Sequence, residues 1–498
     1  MLIKRIGAQI FARYIVKKTK KWMERPVDSQ RRILSDLINK GKNTKFGKDH
    51  KFNEINNLQQ FQNNIPVRNY EALKDYFDQV AAGKPDILWP GKPLYLAKTS
   101  GTTSGAKYIP LTRDSMPNHI EAARNAILHY LDETGNYKIV DKKMIFLQGS
   151  PVLEEKNGIN IGRLSGIVAH FVPSYLQKNR LPSWETNCME DWEEKIEKIT
   201  DETEQEDMGI ISGIPSWVQT YFERLYERHQ QKIGELFPNF DLFIYGGVNY
   251  EPYRNKFEDY IGKSVDSIEL FPASEGFFAY QDRQDANGML LLLNAGIFYE
   301  FIPVDDYLTG EWKAIGIEDV EKEVNYLLII SSNAGLWRYN IGDTIKFTSL
   351  KPYRVIVSGR IKHYTSAFGE HVIASEVEKA IKQASDEHKV SVNEFTVAPQ
   401  IDPPSGLPYH EWFIEYSVPP KDKEAFARSL DDMMQQQNPY YKDLISGKIL
   451  RRLVISPIKK GGFQEYMRSQ GRLGGQNKVA RLANDRKIAD KLEKFKKQ

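Results

Sequence analysis

An α/β chain with more than one domain is expected, and three observations predict it. Between residues 86 and 276 short apolar runs alternate with amphipathic helical stretches, the pattern of strands buried beneath helices. From 288 to 357 apolar runs follow one another with little helix between them, which reads as a β meander or small barrel. Beyond 363 a compact α+β unit follows, and 498 residues exceed what one simple core fills. The expected division is a large N-terminal domain, 1–361, and a small C-terminal domain, 362–498, with a hinge near Lys362.

Taken in order, the chain opens with Ile3, Ile6, Ile10, Phe11 and Tyr14 at helical spacing beside Lys4, Arg5, Arg13, Lys17, Lys18, Lys20 and Lys21. Arg13 interrupts the apolar core that a signal peptide needs. A helix docked on the domain is the expected reading, and a helix lying on a membrane surface is the alternative. Residues 26–39 read as a helix, and 61–82 as two helical stretches punctuated by Pro66. Residues 86–96 read as a strand. Residues 113–131 read as a helix with Ile120, Ala123, Ile127 and Leu131 on one side and Arg124 nearby.

An apolar run at 143–148 suits a buried strand, and the charged stretch 191–206 a helix with a solvated face. Residues 209–228 read as strand, turn and helix. Strands at 242–245 and 265–271 run into Gly246-Gly247-Val248-Asn249 and Pro272-Ala273-Ser274-Glu275-Gly276. In parallel-rich cores ligands sit beyond the carboxyl ends of strands, where these turns fall. The last domain should hold helices at 375–385 and 421–436, strands at 394–398, 411–418 and 449–455, and a charged, helical or frayed tail at 484–498.

Composition narrows the function classes. Hydrophobic residues make up 41% and charged residues 27%, the balance of a soluble globular protein. A net charge of +3 gives no basis for nucleic-acid binding. Cys188 is the only cysteine, so an internal disulfide or a thiolate metal cluster cannot form, and a reducing, cytoplasmic setting fits. No apolar run approaches the ~20 residues that cross a bilayer. Neither acid, acceptor nor oligomeric state follows from composition.

The densest chemical signal is Thr99-Ser100-Gly101-Thr102-Thr103-Ser104-Gly105-Ala106-Lys107, with five hydroxyls, two glycines and a lysine in nine residues. Glycines let backbone N–H groups converge into an anion-binding nest. Hydroxyls add donors and Lys107 adds charge, a set that suits a triphosphate. The residues before it read as a strand and those after it as a lead into a helix. It is not a Walker A loop, because Ala106 separates Gly105 from Lys107 and Tyr108 follows. No G-x-G-x-x-G occurs, which removes the dinucleotide and kinase fingerprints.

Four further positions carry chemistry. Glu275 in its strand-end turn can ligate a Mg²⁺ held by phosphates. Asp343, after Gly342, can accept both ribose hydroxyls, although turns favour Asp for its own sake. Arg360 can donate to ribose or phosphate. Lys478 lies in a glycine-flanked segment and by itself reads as a surface lysine.

The order of these motifs resembles the adenylate-forming superfamily of acyl-CoA synthetases, luciferases and adenylation domains. More closely, the chain resembles the GH3 family of acyl acid amido synthetases. The likeness rests on the Thr99–Gly105 segment, Phe271-Pro272-Ala273-Ser274-Glu275-Gly276, Arg338-Tyr339-Asn340-Ile341-Gly342-Asp343 and Gly475-Gln476-Asn477-Lys478-Val479-Ala480-Arg481. The resemblance implies ATP and Mg²⁺ as cofactors, a carboxylic acid as substrate, and an amino acid or coenzyme A as acceptor. It implies that Ser100, Gly101, Thr102, Thr103, Ser104, Gly105 and Lys107 hold the β and γ phosphates, and that Gly246, Gly247 and Val248 flank adenine. It assigns Ser274 to the nucleotide, Glu275 to Mg²⁺, Asp343 and Arg360 to ribose, and Lys478 to the bridge between carboxylate and α-phosphate. Arg124 is a second-line candidate for pairing with a charge on the acid. An acyl-CoA ligase and a non-catalytic nucleotide-binding or membrane-peripheral protein remain the alternatives.

Overall fold

The computed structural model describes residues 2–100, 106–172, 178–189, 191–247, 250, 253–361, 364–365, 372–401, 403–446, 450–471, 479–483 and 485–497. The chain divides into two compact units. Unit 1 comprises Met1–Asn249, Glu258–Ile341 and Ile345–Ile356; unit 2 comprises Tyr250–Phe257, Gly342–Thr344 and Val357–Gln498.

Unit 1 opens with helix α1 (Leu2–Met23) and helix α2 (Pro26–Gly41). Strands β1 (Tyr95–Ser100) and β2 (Ala106–Leu111) form an antiparallel hairpin in a four-stranded sheet of order β2-β1-β5-β4, completed by β4 (Glu154–Lys156) and β5 (Ile159–Gly162). Helix α3 (Met116–Thr134) follows.

A large sheet then gathers β3 (Lys143–Leu147), β6 (Arg180–Leu181), β7 (Met208–Gly213), β8 (Leu242–Gly246), β9 (Asp266–Ala273), β10 (Gly276–Tyr280), β11 (Met289–Leu291), β12 (Ile297–Pro303), β13 (Asn325–Ser332), β14 (Leu336–Leu350) and β15 (Tyr353–Arg360). Its order is β12-β13-β14-β15-β11-β10-β9-β8-β7-β3-β6. From β9 through β8, β7 and β3 to β6 the strands run parallel, and β10 turns back antiparallel to β9. The meander expected at 288–357 therefore extends this sheet through β11 and β10. Its apolar side chains, among them Phe298, Phe301, Leu328, Ile330 and Trp337, share one core with Phe271 of β9 and Ile109 of β2.

In unit 2, β18 (Ser391–Gln400), β19 (Tyr409–Val418) and β20 (Val454–Ile458) form a sheet, preceded by the short pair β16 (Tyr364–Thr365) and β17 (Val372–Ile373). Helices at Ala374–His388 and Lys423–Gln437 close it through Val377, Ile381, Phe426 and Leu430 against Phe395 and Trp412.

Two stretches, 86–94 and the last strand, differ from the sequence reading, and two others gain detail. Residues 86–94 form a turn, not a strand: the Asp86 N–H donates to Gly91 O at 3.0 Å, and the Gly91 N–H returns to Asp86 Oδ1 at 2.7 Å. The charged helix Trp192–Thr203 has the expected solvated face and a buried one opposite it. Ile196 and Ile199, one turn apart, pull one face inside, while Arg228 collects Glu197, Asp201 and Glu204 on the other. The last strand starts at Val454, since the Leu453 N–H is taken by Asp431 Oδ1 at 3.0 Å. The charged tail is docked: Ala489, Leu492 and Phe495 are buried, and Glu411 Oε1 accepts from Lys496 Nζ at 2.8 Å.

Candidate active site

Because β3, β7, β8 and β9 run parallel, their carboxyl ends share one edge of unit 1. β8 ends on Gly246, which pairs with Leu270 of β9. A Cβ on Gly246 would stand 2.5 Å from the Leu270 carbonyl oxygen, so only glycine lets the two strands end this close. Gly247 follows at φ +73°, a left-handed turn that leads the chain off the edge. Beside it β9 continues to Ala273, which pairs with Gly276. Ser274 and Glu275 are the two-residue tip of the β9–β10 hairpin, both half-buried. The edge thus brings Gly246, Gly247, Ser274 and Glu275 onto adjacent strand ends.

Helix α3 holds this tip in place. Asn118 Nδ2 donates to Phe277 O at 3.0 Å, and the Phe277 N–H donates to Asn118 Oδ1 at 2.7 Å. Both groups are buried, so the amide satisfies a backbone position two residues from Glu275 that the bulged hairpin register would otherwise strand. The neighbouring His119 is pushed down to about 4 by burial alone, which keeps it neutral at neutral pH.

At the end of β3, the Gln148 carbonyl accepts from the buried Lys195 Nζ at 3.2 Å, while Gln148 Nε2 is buried with no hydrogen-bond partner among the described residues. Asn118 and Gln148 escaped the sequence reading. The available signal for Asn118 was an amide at the head of the buried Ala122, Ala126 stripe of α3.

The Ser/Thr/Gly segment connects two antiparallel strands rather than a strand and a helix. Ile109 and Leu111 are fully buried on alternate positions, so residues 106–111 continue as β2 before α3 begins. Thr99 pairs with Lys107 and Ser100 with Ala106 across the hairpin. The Lys107 ammonium stands 5.4 Å from the centre of the Tyr70 ring, and the Tyr70 hydroxyl accepts from the Tyr108 N–H at 3.1 Å. Gly101, Thr102, Thr103, Ser104 and Gly105, together with Val248, Lys362 and Lys478, lie outside the described residues, as do the side chains of Ser100 and Arg360.

Asp343 and Arg360 fall in unit 2. Asp343 is buried and follows Gly342 at φ +84°. The Gly342 carbonyl accepts from the Ile361 N–H at 2.8 Å, and Ser358 Oγ donates to Thr344 Oγ1 at 2.9 Å. These bonds tie the segment bearing Asp343 to the one bearing Arg360. Arg124 in α3 pairs with Glu121 at 3.7 Å and lies 5.2 Å from the centre of the Phe11 ring of α1.

The donor set on the carboxyl edge fits a nucleotide with its metal. Among the described residues no group of three His, Cys, Asp or Glu side chains forms a protein cage for a cation. A single carboxylate such as Glu275 suffices for Mg²⁺ when phosphates and water complete its shell.

Known proteins share this architecture. The GH3 family N-terminal domain model matches residues 15–180 and 177–265, the central domain 290–360 and the C-terminal domain 375–487. The chain belongs to the GH3 family. Among its relatives, a jasmonoyl–L-amino acid synthetase of Nicotiana attenuata is 22% identical over 391 residues, covering 64% of this chain and 66% of that protein. An indole-3-acetic acid-amido synthetase of Arabidopsis thaliana is 24% identical over 280 residues, covering 52% of this chain and 46% of that protein. In these alignments the GH3 chain thus spans less than two thirds of the curated relatives.

In three dimensions the likeness runs end to end. The solved GH3.15 acyl acid amido synthetase in complex with 2,4-DB superposes with a TM-score of 0.79 at 17% identity, over 98% of this chain and 96% of that one. A 2-hydroxyisobutyryl-CoA ligase in its postadenylation state reaches 0.61 at 12% identity, over 95% and 92%. The mixed α/β, multidomain fold is that of the GH3 and adenylate-forming enzymes.

Proposed function

We propose that this GH3 protein activates a carboxylic acid with ATP and passes the acyl group to an amine, most simply that of an amino acid, to give an amide. The observation that carries this reading is the pairing of a glycine turn, Gly246-Gly247, with the Ser274-Glu275 tip on neighbouring strand ends, in a chain of this family.

A carboxylate is a poor electrophile because its leaving group would be oxide or hydroxide. Attack of its oxygen on the α-phosphorus of ATP expels pyrophosphate and forms an acyl-adenylate. The amine then attacks the acyl carbonyl, AMP leaves with the bonding electrons, and the amine nitrogen loses a proton. The protein supplies positioning and charge neutralisation more than covalent chemistry.

In this reading Ser100 to Gly105 and Lys107 hold the β and γ phosphates. Gly246, Gly247 and Val248 flank adenine, where any side chain at 246 would meet the Leu270 carbonyl. Glu275 holds Mg²⁺, which neutralises phosphate charge when bound. Asp343 and Arg360 bind ribose, and their shared backbone bonding in unit 2 supports a common task. Lys478 bridges carboxylate and α-phosphate, delivered by a small domain that begins at 362 and turns about Lys362. Arg124 meets a charge on the acid.

The test is an ATP–pyrophosphate exchange screen over a library of carboxylic acids, followed by mass spectrometry of products formed with an amino-acid mixture or with coenzyme A. Exchange with some acid and an amide product are expected. A thioester would move the protein to the CoA ligases, and no exchange with any acid would return it to a non-catalytic binding role.

A further inference from the structure

Helix α1 has two faces, and the fold uses only one. Ala12, Ile15 and Thr19 are buried against α3, where Ala122, Ala126 and Tyr130 receive them. His129 Nε2 and Thr19 Oγ1 lie 3.1 Å apart, and Arg5 Nε donates to Asp141 Oδ2 at 2.6 Å. The helix is therefore fixed to the body of unit 1 and cannot roll to hide its other side.

That other side is apolar. Ile3 is 87% exposed, Ile6 46%, Ile10 66% and Tyr14 60%. The spacing of these four, every three to four residues, makes one continuous stripe opposite the docked face. Leu2 and Phe11 flank it. Six of the fourteen large apolar side chains exposed among the described residues sit on this one helix, which makes them a patch and not the usual scatter.

The charge around the stripe identifies its occupant. Between Leu2 and Met23 there is no Asp or Glu. Lys4, Arg13, Lys17, Lys18, Lys20 and Lys21 are all exposed, and none makes an ion pair among the described residues. On the outward face the isoleucines of the first turns give way to Lys17 and Lys21. A second copy of the same helix would set these cations against one another with no carboxylate to offset them. An anionic lipid surface supplies both things the face lacks, an apolar layer for the stripe and negative headgroups for the lysines. Among the described residues no helix is long and apolar enough to cross a membrane, so the contact is one of lying on the surface.

We propose that the outward face of α1 docks the protein on an anionic phospholipid membrane, with Ile3, Ile6, Ile10 and Tyr14 entering the headgroup layer and Lys17, Lys18, Lys20 and Lys21 engaging the charge.

The experiment is co-sedimentation of the full-length protein with vesicles of phosphatidylcholine alone or of equal parts phosphatidylcholine and phosphatidylglycerol. Binding to the anionic vesicles should be roughly tenfold tighter or more, and should weaken as salt is raised. An Ile6→Asp/Ile10→Asp variant should lose vesicle binding while keeping the wild-type unfolding midpoint, because both side chains point to solvent. Lys17→Gln/Lys21→Gln should lose the anionic preference. The proposal is overturned if the wild-type protein stays in the supernatant with anionic vesicles at low salt, or if the isoleucine variant binds as well as wild type. A dimer that the isoleucine variant splits, without any vesicle binding, would assign the face to a second copy instead.

Discussion

The two halves of the large sheet are built from the same kind of apolar strand and do different work. In the antiparallel half, β10 to β15, even the charges are inside. Arg338 Nε and Nη2 grip Glu300 at 2.9 and 3.0 Å, and Nη1 donates to the carbonyls of Gln62 and Ile65 at 2.9 and 2.6 Å. Arg354 is likewise paired with buried Asp282, its Nη2 3.0 Å from Oδ2. In the parallel half the strand ends are left to glycine and to half-buried Ser274 and Glu275. A closed half with satisfied charges holds the fold, and an edge that carries half-buried polar groups on its strand ends can take a ligand. The motif from Arg338 to Asp343 divides the same way. Its first residue clamps unit 1, and its last belongs to unit 2.

The strongest way to break this contrast is Arg338→Ala. Glu300 would be left as a buried unpaired charge, and a loss of about 3–5 kcal/mol is expected. Arg338 also sits at φ +42°, a strained conformation that its four side-chain hydrogen bonds help hold in place. Urea unfolding measures the loss; a midpoint equal to wild type would show that the clamp is not structural.

Next in size is Lys478→Ala, expected to lower ATP–pyrophosphate exchange by roughly 10²-fold or more, the scale of one preorganised charge donor. Its unfolding midpoint should not move. Exchange at the wild-type rate would remove Lys478 from the chemistry.

Asn118→Ala tests the seam between the halves. The buried Phe277 N–H and C=O would lose their partner, at a cost of about 1–3 kcal/mol. The nucleotide KM should rise as the Glu275 tip loosens. A stability loss with unchanged KM would confine Asn118 to the core.

A pH titration carries the comparison into unit 2. Burial raises the Glu411 carboxyl, but hydrogen bonds from Lys496 and Ser456, with Arg486, outweigh it and hold the group below its ordinary 4.5. A carboxyl depressed by folding contributes stability above its unfolded value and loses it as pH falls through the folded one. Docking of the tail around Leu492 should therefore weaken below pH 4.5, read by hydrogen exchange, and Glu411→Gln should remove that dependence.

The smallest effect is expected for Arg124→Ala. Its partners, Glu121, Asn125 and the Phe11 ring, lie at or near the surface, so stability should be unchanged. If Arg124 meets the acid, KM for the acid rises severalfold; an unchanged KM leaves it as a partner of Phe11.

Where the sequence reading succeeded, the signal was local. The β3, β7, β8 and β9 runs, with Gly246-Gly247 and Ser274-Glu275 at the ends of β8 and β9, stand where apolar periodicity and glycine placed them. Where it failed, the deciding contact was remote. Residues 86–94 looked extended until the Asp86–Gly91 turn and its bonds to Lys45 and Phe46 are seen. The tail read as helical or frayed, and its docking was not legible because its anchor, Glu411, is 85 residues away from Lys496.

From the amino-acid order alone came the alternation of strands and helices, the carboxyl-end turns and the family. Each of these depends on side-chain period, on backbone freedom at a glycine, or on a motif read in one stretch. Only the folded chain decided that Asn118 would clasp Phe277 across 159 positions, that Arg338 would serve Glu300, and that α1 would bury Ile15 while showing Ile10 to solvent. Such choices are made by packing many elements at once, and no local pattern contains them.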